Sequence, residues 1–127
     1  MLILLVVNLQ TDYSDNEGQY DKIMNYITTQ KKYDKVIATK NVDGCDLPLM
    51  FSADLIIETQ GFNLKDYILL DKEDEYHVIG YGSDSYILSI CSSMKAKGYN
   101  FKVLSDFVYT NSSPKEVTKN ITKFLEC

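Results

Sequence analysis

The chain has 127 residues, 45% of them hydrophobic and 24% charged, which is enough apolar material for one core without disulfides or metal and too much for a disordered segment. Its formal net charge of -5 at pH 7 repels phosphate backbones, and no Lys/Arg cluster outweighs it, so nucleic acid is not an expected partner. No apolar stretch approaches a membrane span, and the opening Met1–Val7 is too short, and lacks the basic flank, for a signal core.

Cys45, Cys91 and Cys127 are odd in number, widely spaced and without a CxxC pair, which reads as free thiols in a reducing cytoplasm. Lys31-Lys32 and Lys95-Ala96-Lys97 read as solvated helix ends, where cations suit the dipole.

The first predicted element is Leu2–Val7, a continuous apolar run of strand length suited to burial on both faces of a parallel sheet. Thr11–Gly18 is a polar loop, after which Tyr20, Ile23, Met24 and Ile27 recur at helical spacing within Glu17–Lys32. Strands follow at Lys35–Thr39 and Asp54–Glu58, separated by a loop that holds Gly44 and Pro48. Tyr76–Gly82 is a strand ending in the glycine pair Gly80 and Gly82, and Ser83 then offers an N-cap with Asp84 in the first turn. The helix Asp84–Lys97 sets Tyr86, Ile87, Ile90, Cys91 and Met94 on one face and stops at Gly98. Phe101–Leu104 is a fifth strand, and the capping box Ser113-Pro114-Lys115-Glu116 opens a last helix to about Glu126.

Alternating strands and helices imply an α/β fold in three layers: a mostly parallel sheet of about five strands with helices on both faces. No repeat or linker interrupts residues 1–127, so one domain is expected. Ligands of such sheets bind beyond the carboxyl ends of the strands. Those ends are Asn8–Tyr13, Thr39–Val42, Thr59–Asn63 and Tyr81–Tyr86.

Two of these ends carry a pattern. LLVVNLQTDYSD resembles the first strand of the isochorismatase-like cysteine hydrolases, a family that includes nicotinamidases, where the strand ends in Asp-x-Gln. VIGYGSDSYILSICSSMKAKGYNFKVLSD resembles the later family segment, in which a strand meets Gly-x-x-Thr-Asp-x-Cys, a helix follows, and a Gly-Tyr turn leads to a strand ending in Asp. Gly80, Ser83, Asp84, Gly98, Tyr99 and Asp106 fit that scheme. Elsewhere the likeness extends only to the order of elements, and the segment between the second and third strands is short for the family.

The resemblance implies a mechanism with three groups: a cysteine that attacks an amide or similar bond, an aspartate that accepts its proton and a lysine that stabilises charge. The thiolate is the nucleophile, so the base is indispensable at neutral pH. On this sequence the aspartate position is Asn8, whose amide cannot take a proton, and the nucleophile position is Tyr86. A phenol, with an unperturbed pKa of about 10, is a poor nucleophile beside a thiolate. The lysine position aligns with Thr59, with Lys65 the nearest lysine. The triad is therefore not intact.

The nicotinamidase branch also binds a metal through Asp and His near the second strand. The matching stretch here, Thr39-Lys40-Asn41-Val42-Asp43, has no histidine, and the single histidine, His77, lies inside a strand without ligand partners. No metal or other cofactor is expected, and His77 reads as structural.

Replacement nucleophiles fare poorly. Cys45 sits between Asp43 and Asp46, whose charge raises a thiol pKa; Cys91 is on the core stripe of its helix. Ser83 and Ser85 have no base beside them in the sequence, and Ser83 is explained as the cap.

Ten tyrosines are present, and Tyr13, Tyr81, Tyr86 and Tyr109 fall near the expected cleft. A tyrosine there can either plug a vacated pocket or offer a flat ring with a polar tip to a ligand or interface. The candidate ligand-binding residues are Asn8, Tyr13, Phe62, Tyr81, Ser83 and Tyr86. The expected function is a non-catalytic isochorismatase-like domain that holds a small ring-containing molecule or a protein partner, with self-association through sheet edges and helices. A degenerate enzyme retained by a phage or mobile element would fit the short length. The alternative is a hydrolase with a rearranged catalytic site.

Overall fold

The computed structural model describes residues 1–9, 19–41, 51–59, 71–81 and 86–109. Within them the order is β1 (Leu2–Val7), α1 (Gln19–Thr29), β2 (Lys35–Asn41), β3 (Leu55–Thr59), β4 (Glu75–Tyr81), α2 (Tyr86–Ala96) and β5 (Asn100–Tyr109). The helix expected from Ser113 to Glu126 lies outside the described residues.

All the strand pairs are parallel, and the order across the sheet is β3-β2-β1-β4-β5. β1 is therefore central, which explains its unbroken apolar sequence: from Ile3 to Val7 no residue is more than 2% exposed. Alternate side chains serve opposite layers. Ile3, Leu5 and Val7 share one cluster with Ile87, Ile90, Cys91 and Met94 of α2, whereas Leu4 and Val6 share the other with Ile23 of α1. Each such side chain taken from water contributes about 1.5 to 3 kcal/mol. Both faces are thus covered by helix, as the alternating pattern requires.

The ends of the elements follow local chemistry. α2 closes in a Schellman motif: Tyr99 N–H donates to Met94 O at 3.0 Å and Gly98 N–H to Lys95 O at 3.2 Å, with Gly98 at φ 82°. Lys95 lies in the last turn of α2, but α1 ends without a basic residue in its last turn, and Lys31-Lys32 fall beyond it. The expected helix-end role therefore fails for that pair. α1 instead closes with Thr28 and Thr29 hydroxyls donating back to main-chain oxygens of Met24 and Asn25.

β5 is longer than its apolar core Phe101–Leu104 suggests. Val78 pairs with Val103 and Gly80 with Val108, so five steps along β5 face two along β4. That bulge carries Phe107 to the α1 face, where it stacks on Tyr26 with centroids 4.2 Å apart and Lys22 Nζ lies 5.2 Å from its ring centre. The polar pair Ser105-Asp106 interrupts the sequence pattern, and the strand resumes because Phe107 and Val108 have packing partners on the two faces.

Candidate functional site

The strand order fixes where a site can form. From β1 the chain moves outward through β2 and β3 on one side, then returns to β4 and continues to β5 on the other. The connections diverge at the carboxyl ends of β1 and β4, and this switch point is where open α/β sheets leave a crevice.

Asn8 stands there, immediately after β1. Its φ is 48°, in the left-handed region that asparagine and aspartate enter more readily than other side chains. Its backbone N–H donates to Thr39 O and to Thr39 Oγ1, each at 3.1 Å. The Thr39 hydroxyl in turn donates to Asn8 Oδ1 at 2.8 Å. Both side chains are buried, at 1% and 2% exposure, and they are the polar residues of the buried set among those described. By alternation from Ile37, Thr39 is on the α2 side of the sheet.

Gly80 holds β4 against the end of β1. It pairs with Val7 and has φ 129°, and a Cβ at this position would lie 2.3 Å from Val7 O. Only glycine allows the two backbones to approach so closely, which gives this motif residue a packing reason.

Tyr81 is partly buried in the α1-side cluster beside Ile79 and Leu9, so it and the Asn8–Thr39 pair lie on opposite faces. Tyr86 opens α2 and Thr59 ends β3, where it pairs with Asn41, but their side chains are not among those described. Tyr13, Phe62 and Ser83 lie outside the described residues, as do Cys45 and Cys127. Thr39 received no individual role from the sequence. The available signal was its place at the carboxyl end of a predicted strand.

Among the described residues, the thiol of Cys91 and the imidazole of His77 are not at this end. Cys91 is fully buried, and burial pushes its thiol up to about 12. His77 Nδ1 lies 2.9 Å from the Tyr33 hydroxyl, which is 2.5 Å from that of Tyr26, and His77 Nε2 is 3.9 Å from Glu75 Oε1. Burial first, then Lys32, holds the imidazole below its ordinary range. This network ties α1 to β4, in keeping with a structural histidine. Among the described residues no group of three His, Cys, Asp or Glu could hold a metal, and no helix is long and apolar enough to cross a membrane.

No family model matches the sequence, and no curated protein matches it. Solved structures do match. A nicotinamidase from Staphylococcus aureus superposes with a TM-score of 0.75 at 17% identity, over 99% of this chain and 94% of its own. An isochorismatase-like hydrolase from Alkaliphilus metalliredigens gives 0.73 at 14%, over 98% and 87%. MAR1 ribonuclease from Caenorhabditis elegans gives 0.70 at 14%, over 98% and 73%. At such identities the likeness is one of fold, and it covers nearly the whole chain. With its parallel five-stranded sheet, its switch point at β1 and β4 and these neighbours, the chain has the fold of the isochorismatase-like hydrolases and nicotinamidases.

Proposed function

We propose that the chain is a non-catalytic protein built on this fold, which binds a small ring-containing molecule or a protein partner at the carboxyl end of the sheet. The observation that carries the reading is Asn8. It occupies the end of the central strand, where the resemblance to the hydrolases calls for a proton-accepting aspartate, and its side-chain oxygen is already taken by the Thr39 hydroxyl. An amide there holds no proton in transit. The sequence adds Tyr86 in place of the nucleophilic cysteine, and the one described cysteine, Cys91, is shut in the core. The neighbouring structures include hydrolases, nicotinamidases and a ribonuclease. A fold shared by such different activities leaves function to the site.

The purified chain is expected to release no ammonia from nicotinamide above the buffer rate, with a nicotinamidase assayed alongside. It is expected to gain thermal stability from at least one aromatic metabolite or nucleotide in a ligand screen, or to co-purify with a partner. Turnover that survives Cys45→Ser and is abolished by altering Asn8 or Tyr86 would overturn the non-catalytic reading and restore the chain to the hydrolases.

A further inference from the structure

We propose that Tyr26, Tyr33 and His77 form a pH-operated latch on the carboxyl half of α1. While the imidazole is neutral they fasten that half, and the turn into β2, to the sheet; proton uptake by His77 frees this corner and leaves the rest of the core closed. The device goes beyond the reading of the strand ends and holds whether or not the chain is catalytic.

The latch stands at the amino end of the sheet, opposite Asn8. Asp34 N–H donates to Leu2 O at 2.8 Å, which brings the chain leaving α1 beside the start of β1. Tyr76 and Val78 belong to the α2-side cluster, so His77 between them faces α1. There the Tyr33 hydroxyl lies 2.9 Å from Nδ1, and the two ring centroids are 5.5 Å apart and nearly perpendicular. The Tyr26 hydroxyl lies 2.5 Å from that of Tyr33, and the Tyr26 ring stacks on Phe107 of β5. The corner can open by itself because its apolar groups, Tyr26, Ile27 and Tyr33, are only partly buried, whereas Ile23 earlier in α1 is fully buried.

Two hydrogen bonds thus run in series, and one proton sets their direction. Glu75 Oε1 lies 3.9 Å from Nε2 and favours the neutral tautomer with its proton there. Nδ1 then accepts from Tyr33, and Tyr33 accepts from Tyr26. A protonated imidazole donates from both nitrogens, so the Tyr33 proton must turn to Tyr26, and the Tyr26 proton loses the acceptor it had. The added charge is also poorly placed. Lys102 is the cross-strand partner of His77 on β5, Lys32 Nζ lies 5.5 Å from the Tyr33 ring centre, and Lys22 lies over Phe107. On β1 the partner is the apolar Leu4, and Glu75 is the carboxylate that opposes the lysines. Burial of the ring is the largest cost of charging it, with Lys32 next. A ring freed into water no longer meets these costs, so below about pH 6.5 proton uptake favours the open corner.

Amide hydrogen exchange on the full chain, corrected for the chemical rate, tests the latch. At about pH 7.5 the Gln30 N–H, which donates to Tyr26 O, is expected to be less protected than the Met94 N–H of α2. Its exchange is also expected to be insensitive to low urea, as a local opening is. At about pH 5.5 its protection is expected to fall several-fold, with about tenfold the ceiling for one proton taken up below pH 6.5. His77→Gln, which keeps an acceptor for Tyr33 but takes up no proton, is expected to abolish that fall. In the wild-type chain, nitrogen NMR shifts of the imidazole at about pH 7.5 are expected to place the proton on Nε2. The latch is overturned if Gln30 and Met94 share one protection and one urea dependence, since the opening is then global. It is overturned equally if protection at Gln30 does not fall with pH, if the fall persists in His77→Gln, or if the neutral ring carries its proton on Nδ1.

Discussion

Asn8 and Gly80 show how two residues at a strand end answer to backbone conformation before any ligand. Asn8 is in the left-handed region and Gly80 at φ 129°, and both conformations are poor choices for a residue with a branched or bulky side chain. Gly80→Ala adds strain at that φ and a methyl 2.3 Å from Val7 O; because the contact is backbone, nothing nearby can rotate away. The expected loss is roughly 3 kcal/mol or more, read as a lower urea midpoint. A midpoint within experimental error of the wild type would show that the β1–β4 ends can separate. The glycine at this position was legible in the sequence as part of a motif, but its reason was not. Close approach depends on which strand lies beside it, and that is a property of the sheet.

At the scale of elements, α1 is held to the sheet by an aromatic and hydrogen-bonded seam. Tyr26 stacks on Phe107 of β5, Tyr33 makes edge contacts with Tyr26 and with His77 of β4, and the hydroxyls and imidazole form a continuous chain. Burial, then the positive charge of Lys32, lowers the His77 pKa from 6.5; Glu75 opposes this and Lys102 adds to it. The unfolded chain therefore takes up a proton at higher pH than the folded one. Stability from neutral His77 is present above pH 6.5 and is lost as the pH falls through that value toward the lower folded pKa. Urea midpoints measured from pH 7.5 down to 5.5 are expected to decline, and His77→Gln to decline less. Equal slopes for the two proteins would remove the imidazole from the account. The elements themselves were readable from periodicity, since β1 runs Leu2–Val7 as expected. The seam was not readable, because Tyr33, His77 and Phe107 lie in three separate parts of the sequence and meet only when β4 and β5 pair under α1.

For the whole molecule, Cys91 reports on opening of the core. It is fully buried between α2 and the sheet with its thiol pushed up to about 12 by burial, so in the native chain it has neither access nor thiolate. Alkylation at neutral pH, followed by site-resolved mass spectrometry, is expected to modify Cys91 no faster than the α2 layer opens, and its rate is expected to rise no further once the reagent is saturating. Prompt labelling of Cys91 in the native chain would mean that α2 leaves the sheet on its own. The sequence by itself determined the layers: an apolar run buried on both faces demands a parallel sheet, and helical stripes on Ile23 and on Ile87, Ile90, Cys91 and Met94 demand two covering helices. The resemblance it carries implies, as an expectation, that Asn8 and Tyr86 stand at the base and nucleophile positions. Tertiary structure decided the strand order, hence the switch point, the β5 bulge and the Thr39–Asn8 pair. Parallel neighbours are joined by crossovers, so contacts such as Asn8 to Thr39 span 31 residues, and no local pattern encodes which strand end will lie beside which.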